Sequence, residues 1–177
     1  NAIRSQAPHV QVQLLNWSKT TMSDIINDEV LIGFNYEINH APKELLQQPI
    51  AQDSFKGYLR EGHPYQKDFI EIKDGVKFEL ATIIAIDWNS HQTIAEKILK
   101  IKGLDARIGF RSELPSAVID VVQNSDMMFP ASKFLGIEKK TSLRAIDILF
   151  DNKDINPVVC AYFHHKNRNS PTTLWLK

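Results

Sequence analysis

The feature that most constrains this chain is a change of hydrophobic period that occurs twice: a strand-like run gives way to apolar residues at helical spacing, then to another strand-like run. In the first instance VQVQLL (residues 10–15) alternates polar and apolar as a half-buried strand does, and Pro8 ends any helix begun at Ile3. TTMSDIINDE then sets Met22, Ile25 and Ile26 on one helical face, with Thr20 or Thr21 as N-cap and Asp24 in the first turn, and VLIGFNY follows as a second strand. This order predicts a βαβ unit with parallel strands and a right-handed crossover. The second instance runs from ELATIIAID through a helix over about 89–102, with Gly103 as its C-cap, to the strand ARIGFR. The predicted fold class is α/β.

The remaining segments fit that class. LLQQPIAQDSFKGYLREGHPY reads as two strands split near Gln52 and Asp53 and stopped by EGHP. The charged, weakly periodic stretch 66–77, which contains Gly75, is where the chain is expected to pass from one lobe to another. A helix over about 114–124 has Pro115 at N1 and an apolar face of Leu114, Ala117, Val118, Val121 and Val122. DMMFPAS, a turn at GIEKK, the strand LRAIDIL and a last strand NPVVCAYFHH complete the pattern, with no repeat or low-complexity segment.

Composition excludes several classes. Of 177 residues 43% are hydrophobic, enough for a sizeable core, and 21 basic residues balance 21 acidic ones, so this chain lacks the field that draws a protein onto nucleic acid or anionic lipid. Its single cysteine, Cys160, lies in an apolar run and reads as a small buried hydrophobe in a reducing compartment, so the expected location is cytoplasmic. No apolar stretch approaches the roughly 20 residues that cross a bilayer, and NAIRSQAPHV has no signal-peptide core. The chain is expected to be a fragment, since it opens at the end of a helix and stops at SPTTLWLK, a helix start without a body. There is no glycine-rich phosphate loop and no G-x-S-x-G elbow. His164 and His165 are adjacent, so on a strand they point to opposite faces and read as a solvated edge rather than a chelating pair. Neither a cofactor nor a metal is expected, and no enzyme activity.

Binding residues are expected where strands give way to helices, because unpaired backbone N–H groups gather there. In DWNSHQT, Trp88 stands at a strand end, Asn89 or Ser90 can cap the following helix with or without meeting a ligand, and His91 falls off the apolar face toward solvent or a cleft. In GFNYEINH, Asn35 and Tyr36 sit where strand becomes loop, after Phe34. RSELP contributes Ser112, and MMFPAS contributes Phe129 and Pro130. Their common position at strand ends in both halves suggests a shared cleft.

The order of segments resembles the effector-binding region of LysR-type transcriptional regulators. IRSQAPHVQVQLL is similar to that family's helix ending in a proline before its second strand, and INDEVLIGFNY to its strand ending in glycine. IAQDSFKGYLREGHPY is the closest match, with acidic residue, aromatic, strand and His-Pro in order. LPSAVIDVVQNSDMMFPASKFL and INPVVCAYFHHKNRNSPTTLWL resemble the second-lobe helix with its strand and the closing strand with its helix. There are departures: the family's first strand is missing, and its G-x-G-x-x-x-x-P turn is here QNSDMMFP.

The resemblance implies a type II periplasmic-binding-protein-like fold of two α/β lobes joined by two crossover segments, with residues 1–71 and 145–177 in lobe I and 76–144 in lobe II. It implies an effector-binding and oligomerisation domain of a DNA-binding transcription regulator, taking a small polar metabolite such as a carboxylate between the lobes. Asn35, Trp88, Asn89, Ser90, Ser112 and Phe129 would meet the effector, with Phe34, Tyr36, His91 and Pro130 shaping the cleft wall. It further implies a homodimer or homotetramer, with the N-terminal helix and the helix near 114–124 as interface candidates, no membrane, and DNA contact only through an N-terminal helix-turn-helix outside this chain. The alternative is an extracytoplasmic solute-binding protein of a transporter, which shares the fold.

Overall fold

Three strands, β1 (Gly33–Tyr36), β2 (Leu45–Gln52) and β9 (Val158–His164), form an antiparallel sheet in the order β1-β9-β2. This is a computed structural model that describes residues 2–85, 88, 89, 91–150 and 157–176. Tyr162 and Cys160 on β9, Leu45 on β2 and Ile25 on helix α2 (Thr21–Ile26) make the core beneath this sheet, with Trp17 packed against it. Gly33 is required here: a Cβ on it would lie 2.7 Å from the Trp17 ring. Two short helices, α1 (Ala2–Gln6) and α5 (Pro171–Leu176), meet where Trp175 Nε1–H donates to Gln6 Oε1 at 2.9 Å.

The second sheet has the order β4-β8-β3-β7, from β3 (Phe55–Arg60), β4 (Phe69–Glu71), β7 (Phe129–Ser132) and β8 (Leu143–Leu149). The parallel pair β5 (Glu79–Ile83) and β6 (Arg107–Ser112) is tied to it just before β7, where Ala81 N–H donates to the Met128 carbonyl and Met128 N–H to that of Glu79. The register of β5 against β6 skips Gly109, whose missing side chain leaves room for Glu79. Two helices cover this assembly, α3 (Ile94–Ile101) and α4 (Pro115–Gln123). Strand alternation divides the core: Tyr58, Ala81 and Phe129 pack with Val118 and Val122 of α4, whereas Leu59, Leu80 and Met128 pack with Leu99 of α3.

The mixed α/β class holds, and the second period change does form a parallel strand–helix–strand unit. The first does not. Residues 10–15 pair with no strand among the described residues, and Leu14 is 89% exposed; β1 pairs instead with β9, antiparallel. An alternating sequence is only half a strand, because the backbone also needs a neighbouring edge.

The strand pairing also differs from the expected division at 71–76 and 144–145. The changeover between sheets falls at Asp53 and Ser54, so β3 and β4 hydrogen-bond with β7 and β8 rather than with β1, β2 and β9. The charged stretch after Gln66 marks a parallel edge strand and the 3-10 helix Ile72–Lys77, not the exit from the first sheet.

His63 ends β3 as a structural turn. Its Nδ1 accepts from Tyr65 N–H at 2.9 Å and its Nε2 lies 3.2 Å from the Asp126 carbonyl, with the ring stacked on Phe78. His164, expected on a solvated edge, is only 8% exposed, its ring against that of His165.

Candidate functional site

A cavity of about 340 Å³ lies under α3. Ile94, Ala95 and Ile98 of that helix roof it, and the facing strands β4, β5, β7 and β8 supply its floor, with Tyr36 of β1 reaching it from the other sheet. Phe55 and Phe150 complete an aromatic row, with ring centroids 6.0 Å apart for Tyr36–Phe55 and 6.4 Å for Phe55–Phe150.

The helix above the cavity begins later than its sequence suggests. Thr93, not Asn89 or Ser90, is the N-cap: its Oγ1 accepts from Glu96 N–H while the Glu96 carboxylate accepts from Thr93 N–H at 2.8 Å, a complete capping box. Arg111 on β6 also pairs with Glu96, which ties the start of the helix to the sheet below. Asn89 turns back, its Oδ1 accepting from Ala85 N–H, so it closes the loop after β5. T-x-x-E is the stronger capping signal and lies four residues past Asn89; the polar run before it masked the start.

Tyr36 reaches the cavity because Asp53 holds it, the phenol donating to Asp53 Oδ2 at 2.7 Å. Asp53 is 3% exposed, and its Oδ1 accepts from Ser54 N–H at 2.7 Å. Burial first, and then the Asp53 carboxylate, hold the Tyr36 phenol well above its ordinary range.

Of the residues singled out from sequence, Tyr36, Asn89, Phe129 and Pro130 line this cavity. Asn35, Trp88, Ser112, Phe34 and His91 do not. The Asn35 Oδ1 accepts from Tyr36 N–H, and its Nδ2 is buried without a partner among the described residues. Trp88, 38% exposed, packs on Trp17 at 5.7 Å. Ser112 Oγ accepts from Leu114 N–H at 3.1 Å and so shapes the entry to α4. Phe34 and His91 are exposed, and Ser90 lies outside the described residues.

Sequence reasoning missed Thr82, which is 3% exposed and lines the cavity, and whose own Oγ1 is buried and meets no hydrogen-bond partner among the described residues. A hydroxyl inside the apolar run ELATIIAID was its one available signal. Among the described residues no group of His, Cys, Asp and Glu could hold a metal ion, and no helix is long and apolar enough to cross a membrane.

No protein-family model and no curated protein sequence matches the chain. Solved structures do. A probable transcriptional regulator from Pseudomonas aeruginosa superposes with a TM-score of 0.77 at 16% identity, over 99% of this chain and 57% of its own. The regulatory domain of MexT, a transcriptional activator in Pseudomonas aeruginosa, matches with a TM-score of 0.76 at 12% identity, over 99% of this chain and 84% of that one. The C-terminal domain of a probable LysR family transcriptional regulator from Rhodococcus sp. RHA1 matches with a TM-score of 0.70 at 12% identity, over 93% and 81%. The chain therefore has the fold of the regulatory domains of LysR-family transcriptional regulators, and it spans 57% of the length of the first of these structures.

Proposed function

We propose that this chain is the effector-binding and oligomerisation domain of a LysR-type DNA-binding transcription regulator. In this reading the first sheet with α1, α2 and α5 is one lobe, the second sheet with α3 and α4 is the other, and the chain crosses between them near Asp53 and again between β8 and β9. A small molecule held under α3 would bias the relative placement of the lobes, and through contacts between copies of the chain that bias would reach DNA-binding segments elsewhere in the protein. Differential affinity worth roughly 1–3 kcal/mol between two states is enough for such coupling.

The observation that carries this reading is a likeness of fold over nearly the whole chain, joined to a cavity that takes Tyr36 from one sheet and its floor from the other. A molecule seated there touches both units, so its binding energy depends on how they are set. The balanced charge of this chain, 21 basic against 21 acidic residues, fits a part that does not itself bind DNA.

The test uses the complete gene product. It is expected to carry a helix-turn-helix, to form dimers or tetramers by light scattering, and to retard DNA from upstream of its own coding sequence in a gel-shift assay. A secretory signal in place of the helix-turn-helix would instead support an extracytoplasmic solute-binding protein.

A further inference from the structure

Asp53 stands where the chain passes from the first sheet to the second, and it is bonded toward both. Its Oδ2 accepts from the Tyr36 phenol at the end of β1, and its Oδ1 accepts from Ser54 N–H. Its own N–H donates at 2.9 Å to the carbonyl of Pro157, which leads into β9. The Ser54 carbonyl in turn accepts from Lys133 N–H at 2.9 Å, just past β7. Tyr36 itself stands against Phe55, the first residue of β3, and Phe55 against Phe150, which follows β8. The two places where the chain runs between the sheets therefore meet around one phenol and one carboxylate, the latter only 3% exposed.

We propose that Asp53 is the pin on which the two sheets are set relative to each other, and that Tyr36 is the positioning residue that links this pin to whatever occupies the cavity under α3. The inference rests on the effector-domain reading for its two movable lobes and its bound molecule, and adds the residues that couple them. Three physical points lead to it. Hydrogen bonds to a buried carboxylate are directional and costly to leave unmade, whereas apolar contacts are non-directional. Turning one sheet on the other must therefore pivot at Asp53 or break its bond to Tyr36. The Tyr36 ring lines the cavity while its hydroxyl holds Asp53, so a molecule packed on that ring either fits the bonded rotamer or displaces it, and in doing so favours one setting of the sheets. Among the described lining residues no other side chain comes from the first sheet, so Tyr36 is the direct route by which occupancy of the cavity reaches that sheet.

The test uses this 177-residue chain with spin labels at two exposed positions, Lys43→Cys before β2 and Ser116→Cys on α4; the buried Cys160 stays unlabelled. Pulsed electron spin resonance should give one narrow distribution of distances between the labels. Tyr36→Phe keeps the ring and removes only the hydroxyl, so it should broaden or shift that distribution. Thr93→Ala removes a helix cap without touching Asp53 and should leave the distribution unchanged. A Tyr36→Phe distribution that superimposes on the parent's, or an equal broadening by Thr93→Ala, would overturn the proposal. Circular dichroism verifies that each variant folds, and hydrogen exchange of the unsubstituted chain gives a second reading that needs no change at position 36. There the Asp53 amide should exchange as slowly as the amides of β9; exchange as fast as at Gln11 or Gln13, which are exposed and outside any strand, would also overturn it. These outcomes are independent of the gel-shift assay: failure to bind DNA would remove the regulatory role and leave the pin standing, and an unchanged distance in Tyr36→Phe would do the reverse.

Discussion

Tyr36 and Asp53 are joined by a 2.7 Å hydrogen bond at the point where the chain leaves one sheet for the other. The bond fixes the only side chain that the first sheet contributes to the cavity among the described lining residues. Asp53 is almost wholly buried, so the phenol is part of what makes a carboxylate tolerable there. Tyr36→Phe should therefore destabilise the fold by about 1–3 kcal/mol, the cost of leaving a buried acceptor short of a donor. Urea denaturation followed by circular dichroism measures this; a loss below about 0.5 kcal/mol would mean that water replaces the phenol.

Thr93 and Asn89 make different claims on the same stretch of chain. Removing a side-chain cap costs about 1 kcal/mol, so Thr93→Ala should lower the unfolding midpoint and loosen the start of α3, read as faster amide exchange over residues 94–97. Asn89→Ala should leave exchange in those residues unchanged, because Asn89 holds Ala85 rather than the helix. The opposite ranking would place the helix start back at Asn89.

Alkaline pH should weaken the fold before any loss of function is considered. Burial first, with Glu138 adding to it, pushes the Tyr58 phenol up to about 12; burial, with Cys160 and Glu37 adding to it, pushes Tyr162 up to about 12. In the unfolded chain these phenols ionise near pH ~10, so between the two values the native state holds more protons than the unfolded state. Their contribution is fully present below about pH 10 and is lost as pH rises toward 12. Urea midpoints measured from about pH 9 to 11.5 should fall, and Tyr58→Phe should flatten the decline.

Cys160 should resist alkylation. It is buried on β9, and burial, reinforced by Glu37, holds its thiol above the ordinary value, so little of the reactive thiolate exists at neutral pH. A chromogenic disulfide reagent should titrate no thiol in the native chain and one thiol in denaturant. Rapid reaction under native conditions would contradict the packing around β9.

Much of the secondary structure could be read from residues alone, for local reasons. Pro115 and the spacing of Val118 and Val122 dictate α4, and LRAIDIL and NPVVCAYFHH carry enough β-branched and aromatic residues to specify β8 and β9. The apolar character of Cys160 follows the same logic. VQVQLL shows where that logic stops, since its alternation is sound and its partner edge is lacking among the described residues.

The order and type of most elements follow from local chemistry, because period, caps and turn residues act over a few neighbours. Which strands share a sheet, and what lines the cavity, depend on the folded chain as a whole. β3 joins β7 and β8 through residues more than seventy positions away, and Tyr36, bonded to Asp53, comes to line one cavity with Phe129 and Thr82 only after both sheets have formed. Those choices depend on burying particular side chains against one another across long stretches of chain, and a hydroxyl such as that of Thr82 becomes informative only when its surroundings turn out to be apolar and unable to bond it.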